Sequence, residues 1–266
     1  MRFMPARSRR LLRNSAFAAL LAASAAHAGD ARLTALAAAY PEKIARIEAN
    51  VIVFRDGTRM DAGFVDPNKP MAGLLREATI LDQFRLPYPK GGPIAAPHKD
   101  FDPGRFRNEA FFNALYGDCR KGDVRKQLVP VVWLPKHWGH VVMVTSANGV
   151  AEHLWDASAE IDALPGKLAR AALPTAGTYV CRPVKDIGRL SMHAYGAAID
   201  LNLKFSNYWL WEAKGTANIP YRNAMPREIV DAFERHGFIW GGRWYHYDTM
   251  HFEYRPELLA AAGIAR

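Results

Sequence analysis

Two short stretches of the sequence bring together side chains that can bind a metal ion: SMHAYGAAID at residues 191–200 and DTMHFE at residues 248–253. In the first stretch, His193 precedes a glycine that lets the chain reverse, and Asp200 follows in an alternating apolar run that predicts a strand. In the second, His251 begins another predicted strand. Two imidazoles and one carboxylate hold Zn²⁺ while leaving one coordination position open for water. The two stretches therefore predict a metal site formed by these three residues.

Asp200 taken alone would usually be interpreted as a surface or turn residue. It stands, however, between the apolar residues Ile199 and Leu201 in a run that predicts a core strand. A carboxylate buried in such a strand requires a partner that compensates for the loss of water. A metal ion is one such partner, so the position of Asp200 supports the predicted site.

The pattern Ser-x-His-x-x-Gly-x-Ala-x-Asp, followed about fifty residues later by acid-x-x-His, resembles the D-alanyl-D-alanine carboxypeptidase family of zinc peptidases. The branch of bacterial and phage L-alanyl-D-glutamate endopeptidases is the most similar, because it also tends to show Asp-x-x-His-Phe-Glu near its C-terminus. The resemblance covers roughly residues 131–254. It implies the fold that these enzymes share with lysostaphin-type peptidases and the hedgehog signalling domain. The residues that match the pattern are Ser191, His193, Gly196, Ala198, Asp200, Asp248 and His251.

The resemblance also implies what the matching residues do. It makes Asp248 the base that takes a proton from the attacking water. Many relatives carry glutamate at this position, so Glu253 and His246 are alternative bases. The zinc ligands that it implies are His193, Asp200 and His251.

Arg182 lies eleven residues before the first histidine of the pattern, in a stretch where the family commonly places an arginine. The resemblance implies that Arg182 binds a substrate carboxylate or the oxygen on which negative charge develops, since a guanidinium group suits either task. A simple ion pair with a neighbouring carboxylate such as Asp186 is the alternative.

The N-terminus has the features of a secretory signal peptide. Five arginines and no acidic residue precede a run of small apolar residues, which ends in Ala-His-Ala at residues 26–28. We expect cleavage after Ala28 and a periplasmic or secreted protein. The apolar run is about half as long as a membrane-spanning helix, and no later window reaches that length, so we expect no transmembrane anchor.

Charge excludes one class of partner. The chain has 35 basic and 26 acidic residues, and removing the five arginines of residues 1–28 leaves 30 basic against 26 acidic. This small surplus is compatible with an anionic envelope polymer, but it is far from the clustered basic patch of a nucleic-acid-binding protein. We therefore expect no nucleic-acid partner.

Short strands, hairpin-like connections and few helices favour an α+β protein with an antiparallel β-sheet and flanking helices. The pattern predicts a helix over residues 32–50, broken or kinked near Pro41, and strands over residues 178–182 and 197–203. The region of residues 66–106 is rich in proline and glycine. It could line one side of a substrate cleft or simply wrap the surface.

The domain organisation predicted from these features has three parts. Residues 1–28 are the signal peptide, residues 29–125 are an N-terminal extension or accessory region, and residues 126–266 are the zinc peptidase catalytic domain. We expect a monomer.

Cys119 and Cys181 are the two cysteines of the chain. Export to an oxidising compartment favours a disulfide between them, and two buried free thiols are the alternative. Closing a loop of about 60 residues would stabilise the fold by about 4 kcal/mol in the chain-entropy model.

The function that follows from the resemblance is a zinc-dependent peptidase that hydrolyses peptidoglycan stem peptides, as a D,D-carboxypeptidase or as an endopeptidase. One alternative is a catalytically silent, zinc-containing module that binds the envelope. The presence of Asp248, the implied base, argues against it. A second alternative is a secreted lysin that acts on another peptide.

Overall fold

Short antiparallel strands and helices alternate along the chain, which confirms the predicted α+β class. The computed structural model describes residues 30–184, 187–215 and 219–264, so the predicted signal peptide lies outside the described residues. No helix in these ranges is long and apolar enough to cross a membrane. The helices are α1 (Ala31–Ala39), α2 (Met71–Glu77), α3 (Glu109–Tyr116), α4 (Val150–Asp162), α5 (Gly166–Ala169), α6 (Trp209–Ala213), α7 (Arg227–Arg235) and α8 (Pro256–Ala260). The strands are β1 (Ile44–Glu48), β2 (Val51–Phe54), β3 (Arg59–Asp61), β4 (Leu128–Trp133), β5 (His140–Thr145), β6 (Ala198–Asp200), β7 (Phe238–Trp240) and β8 (His251–Tyr254).

Among the described residues, the strands form three antiparallel sheets. The first has the order β1-β2-β3, the second is the hairpin of β4 and β5, and the third has the order β6-β8-β7. In the third sheet the last strand of the chain, β8, lies in the middle and pairs with both neighbours. This sheet carries two of the three predicted metal ligands.

The two faces of β8 have different environments. The ring of Phe252 stacks on that of Phe233, with the centroids 4.0 Å apart. It also stacks on the ring of Trp240 from strand β7, with the centroids 6.3 Å apart. Side chains alternate along a strand, so His251 and Glu253 point to the opposite face. Both are buried there. The packed aromatic face therefore fixes the strand that presents the polar face.

The N-terminal segment, residues 30–125, shares a hydrophobic core with the rest of the chain. Tyr40, which follows α1, and Phe112 of α3 belong to the same continuous cluster of buried residues as Phe252. The ring of Phe112 also lies 5.8 Å from that of Tyr195, which is part of the metal-binding stretch. The domain boundary near residue 125 stays a prediction. The segments before and after it pack against each other.

The helix predicted over residues 32–50 is too long. Helix α1 ends at Ala39, before Pro41, and the chain continues as strand β1. Proline lacks the N–H that a helix interior needs. Beyond it, Ile47 pairs with Ile52 in a β-hairpin. The strand pairing therefore outweighs the helix-like spacing of the apolar residues.

The strand predicted over residues 178–182 is wrong, whereas the one predicted over residues 197–203 is confirmed in its first half as β6, Ala198–Asp200. The first segment is irregular, with isolated bridges at Gly177 and Pro183. Its backbone bonds to the turn that carries His193 instead of to a neighbouring strand, because the N–H of Val180 donates to the carbonyl of His193 at 3.2 Å.

Cys119 and Cys181 form a disulfide, with their Cα atoms 5.7 Å apart and 62 residues apart in sequence. The bond joins the N-terminal segment to the irregular segment that precedes the turn carrying His193. Cys119 is buried, whereas Cys181 lies at the surface.

Replacing both cysteines with serine is expected to lower the free energy of unfolding by about 2–5 kcal/mol, because the unfolded chain regains the freedom that the crosslink removes. Urea denaturation followed by circular dichroism compares the double variant with the oxidised protein. The reduced wild type should unfold at the same urea concentration as the double variant. A double variant as stable as the oxidised protein would show that the crosslink contributes nothing.

Candidate metal centre

Asp200 and His251 face each other across two paired strands. They are direct register partners in the antiparallel pair of β6 and β8, and the Oδ1 of Asp200 lies 3.0 Å from the Nδ1 of His251. Two positions further along β8, Glu253 lies opposite Ala198. The strand register thus places two of the predicted ligands side by side.

His193 reaches the same point from a short turn of 3-10 helix at Met192–Tyr195. The hydroxyl of Ser191 caps this turn by accepting a hydrogen bond from the N–H of His193 at 3.3 Å. Gly196 ends it with a positive φ of 66°, a conformation that strains other residues. A Cβ at Gly196 would also lie 3.0 Å from the backbone nitrogen of Thr145. The turn can therefore fold back toward β6 only with glycine at this position.

The three predicted ligands meet at one point. The Nε2 of His193 lies 3.1 Å from both the Oδ1 of Asp200 and the Nδ1 of His251. Both histidines are buried, and Asp200 keeps 21% of its side chain exposed. The cluster is therefore buried in the protein except on the side where Asp200 is exposed.

The outer hydrogen bonds of the two histidines determine where their lone pairs point. The Nδ1 of His193 lies 2.6 Å from the carbonyl oxygen of Thr178, and the Nε2 of His251 lies 3.0 Å from the Oε2 of Glu253. A carbonyl and a carboxylate only accept hydrogen bonds, so each of these nitrogens carries the proton. The inner nitrogens of the neutral rings then face each other and Asp200 with lone pairs. Such an arrangement repels itself unless a cation lies between the three groups.

These residues fit a zinc ion. Tetrahedral ligands with zinc bonds of about 2.0–2.1 Å lie about 3.3 Å apart, and the three atoms here lie 3.0–3.1 Å apart. Two imidazoles and one carboxylate are also a common donor set for catalytic zinc. Among the described residues this is the group of at least three His, Cys, Asp or Glu side chains whose ligand atoms converge within 4.8 Å.

Electrostatics at the cluster favour positive charge. Burial alone would raise the pKa of Asp200, but the adjacent His193 and His251 hold it well below its usual range. For His251, burial lowers the pKa, but hydrogen bonds to the carboxylates of Asp200 and Glu253 outweigh it and raise the pKa to about 10. Two carboxylates flanking one imidazole thus attract a cation, whether a proton or a metal ion.

Glu253 is buried behind His251 and contacts three positively charged or hydrogen-bonding side chains. Its Oε2 accepts hydrogen bonds from the Nη2 of Arg107 and from His251, and its Oε1 accepts one from the Nη1 of Arg255 at 3.1 Å. Burial would raise the pKa of Glu253, but Arg107 first, and then His251 and Arg255, hold it well below its usual range. Glu253 is fully buried, so it orients His251 and is poorly placed to serve as the alternative base.

Asp248 lies beside the open side of the cluster. Its Oδ1 is buried and accepts no hydrogen bond from the described residues. Burial raises its pKa to about 6, and the charge of Asp200 adds to this effect while that of His251 opposes it. A carboxylate with a free acceptor and a pKa near neutrality has the properties of a general base.

One cleft contains the cluster and the other predicted site residues. Its volume is about 120 Å³, and the three predicted ligands, Asp248 and Arg182 all line it. His246, the other alternative base, lines it too, and its Nδ1 lies 2.7 Å from the Oδ2 of buried Asp102. Arg182 is exposed. Its alternative partner Asp186 lies outside the described residues.

A larger cavity of about 510 Å³ lies elsewhere, between the start of α1 and α8. Its walls are mostly apolar and include Phe84, Leu86 and Leu258. It contains no group of converging metal ligands. We therefore locate the chemistry in the smaller cleft, where the titratable groups meet.

Sequence reasoning did not identify three residues that support the site: Thr178, Asp102 and Arg107. None of the three lies in the two stretches that carry the metal-ligand pattern. One signal was available for Arg107, since Arg105-Phe106-Arg107 alternates charged and apolar residues at the end of a proline-rich region. Such alternation indicates an extended segment with one charged face.

The comparison with known families agrees with the motif. A family model described as D-alanyl-D-alanine carboxypeptidase matches residues 185–254, which include the three predicted ligands and Asp248. This match confirms the suspected family over that segment. No curated protein and no solved structure shows significant similarity to the chain.

Replacing Glu253 with glutamine is expected to weaken metal binding by about 10- to 100-fold, because the amide holds His251 less firmly in the required tautomer. The same change should lower the free energy of unfolding of the metal-free protein by about 3–5 kcal/mol, since two buried arginines lose their anionic partner. Competition with a chromogenic chelator measures the affinity, and urea denaturation measures the stability.

Glu160→Gln is the matched control. Glu160 also contacts an arginine and a histidine, Arg235 and His236, but at the surface. This variant should keep its metal affinity and lose at most about 1 kcal/mol of stability. Unchanged metal affinity in Glu253→Gln would rule out the orienting role of Glu253.

Proposed function

With residues 185–254 matching the D-alanyl-D-alanine carboxypeptidase family, we propose that the protein is an exported zinc peptidase that hydrolyses peptidoglycan stem peptides. The observation that carries this proposal is the position of Asp248. Asp248 lines the same cleft as His193, Asp200 and His251, and its buried Oδ1 accepts no hydrogen bond from the described residues. A site that only held a structural ion would need no carboxylate with a free acceptor beside its open position.

The chain's own residues divide the chemistry between them. Zinc held by the three ligands would polarise the scissile carbonyl and make water more acidic. Asp248 takes the proton from the attacking water and then delivers it to the leaving amine. Its raised pKa suits both tasks, because a base that is too weakly basic cannot take the proton and one that is too strongly basic cannot return it.

Arg182 is the proposed anion-binding group. It lines the cleft that contains Asp248, and its side chain is exposed and free to contact a substrate. A guanidinium group there would bind a substrate carboxylate or stabilise the negative charge that develops on the carbonyl oxygen. The peptide bond that is cut, terminal or internal, depends on which of these tasks Arg182 performs.

Two observations support a location outside the cytoplasm. The first 28 residues have the composition of a signal peptide. The disulfide between Cys119 and Cys181 is of a kind that persists in oxidising compartments and is rare in the cytosol. Peptidoglycan is present in those compartments, which makes its stem peptides accessible substrates.

The mature, zinc-loaded protein is expected to release peptide products from purified peptidoglycan and from a synthetic stem pentapeptide, and a chelator should abolish the reaction. Asp248→Asn should lower kcat by about 10²- to 10⁴-fold, because it removes the proton acceptor, while the bound zinc remains. His193→Ala should lose the zinc. Mass spectrometry of the products identifies the bond, and metal analysis gives the zinc content.

Asp231→Asn is the control for Asp248→Asn, since Asp231 pairs only with Arg227 at the surface of α7 among the contacts described. It should leave both activity and zinc content unchanged. Absence of cleavage by a folded, zinc-loaded wild type would favour the envelope-binding module or a different peptide substrate. Full activity of Asp248→Asn would exclude Asp248 as the base.

The full-length protein, expressed with its own N-terminus in a Gram-negative host, is expected to be recovered from the periplasm beginning at Gly29. N-terminal sequencing of the recovered protein checks this position. Replacing Ala26 and Ala28 with bulky residues should block processing, because signal peptidase requires small residues there. Recovery of an unprocessed wild-type protein from the cytoplasm would contradict export.

A further inference from the structure

We propose that Arg105, from the N-terminal segment, forms with Arg182 a two-guanidinium site that selects substrates carrying two carboxylates on the same side of the scissile bond. This inference rests on the proposed peptidase function and extends it to substrate specificity. It also gives the segment of residues 29–125 a direct part in recognition.

The chain around Arg105 is arranged so that its charged residues face the cleft. Arg105 and Arg107 both line the cleft, whereas Phe106 between them is buried in a small apolar cluster with Leu74 and Ala78. Alternate side chains of an extended segment point in opposite directions. The burial of Phe106 therefore fixes the two arginines on the side of the metal ligands.

The guanidinium group of Arg105 has little neutralising contact. Among the described residues its contact is with Asp102, through Nη1 at 3.4 Å. Asp102 is already engaged more closely by His246, whose Nδ1 lies at 2.7 Å and whose backbone N–H donates at 2.9 Å. The side chain of Arg105 is nevertheless only 13% exposed. Donors that are so shielded from water need acceptors, and the cleft is where a ligand can supply them.

Arg107 provides an independent observation on the same wall. Its side chain is 9% exposed, and its Nε is buried without a hydrogen-bond partner among the described residues. Its Nη2 is committed to Glu253. The wall thus holds a buried guanidinium donor, the Nε of Arg107, that no described acceptor satisfies. An anionic group of the substrate would complete it.

Arg105, whose contact among the described residues is the 3.4 Å one with Asp102, and the exposed Arg182 both line the cleft and can each receive a carboxylate of the substrate. Each guanidinium can bind one carboxylate through two parallel hydrogen bonds, and Arg107 has fewer donors left because of Glu253. Arg182 is exposed at the mouth of the cleft, and Arg105 is largely enclosed within it. A peptide with one carboxylate would satisfy only one of the two. Loss of one charge-assisted contact corresponds to about 10- to 100-fold in affinity.

The test gives the zinc-loaded mature protein two synthetic stem peptides, each with two carboxyl groups on the same side of the scissile bond. In one peptide both carboxyl groups are free, and in the other one of them is amidated. The wild type is expected to prefer the free acid by about 10- to 100-fold in kcat/KM, mainly through KM, because the contact exists before the chemical step. Arg105→Gln should raise KM for the free acid and reduce the preference to about twofold. Arg227→Gln, a surface arginine of α7, is the control and should keep the full preference.

The outcomes separate the two proposals. Equal rates on both peptides by the wild type, or an undiminished preference in Arg105→Gln, overturns the inference and leaves the peptidase function intact. A uniform loss on both peptides in Arg105→Gln indicates a structural role and also overturns it. If the wild type cleaves neither peptide, the proposed function fails, and calorimetric titration of the same peptides then decides the inference. Equal affinities of the wild type for the two peptides overturn it. Weaker binding of the free acid by Arg105→Gln than by the wild type supports it.

Discussion

The buried carboxylate of Glu253 is the interaction on which most of the structure depends. It contacts His251 on the metal side, Arg107 from the N-terminal segment and Arg255 from the segment that follows β8. A buried ion pair contributes little net stability, but a buried charge that loses its partner costs several kcal/mol. All three contacts must therefore form together. This requirement links His251, a predicted metal ligand, to the N-terminal segment and to the segment that leads into helix α8.

The same network continues away from the cleft. The Nε of Arg255 donates to the Oε1 of Glu257 at 2.5 Å, and the Oε2 of Glu257 accepts a hydrogen bond from Tyr40 at 2.6 Å. The guanidinium of Arg255 also lies over the ring of Phe112 at 4.9 Å. These side chains are fully or almost fully buried. The chain after α1 and helix α8 thus meet on a series of buried charged contacts that begins at His251.

The sequence was sufficient to predict that His193, Asp200 and His251 converge, because they lie in two short stretches with a specific spacing, and the α+β class follows from the strand and hairpin signals. It could not predict the supporting residues. Thr178 acts through a backbone carbonyl, which any residue would supply. Asp102 and Arg107 act from an irregular segment, where the alternation of residues 105–107 indicates a charged face but not what that face contacts. The failed strand at residues 178–182 has the same origin, since its backbone hydrogen bonds go to a turn rather than to a strand.

The direct pairing of Asp200 with His251 has a consequence for how the protein folds. Side chains alternate along a strand, so a slip of one residue between β6 and β8 would turn His251 to the apolar face and bring Phe252 opposite Asp200. A chain paired in that wrong register could not hold an ion between the two strands. A cation that binds only the correctly paired strands lowers the free energy of that pairing relative to every slipped pairing. A bound metal ion would thereby select the correct register of β6 and β8 during folding, before it takes part in any reaction.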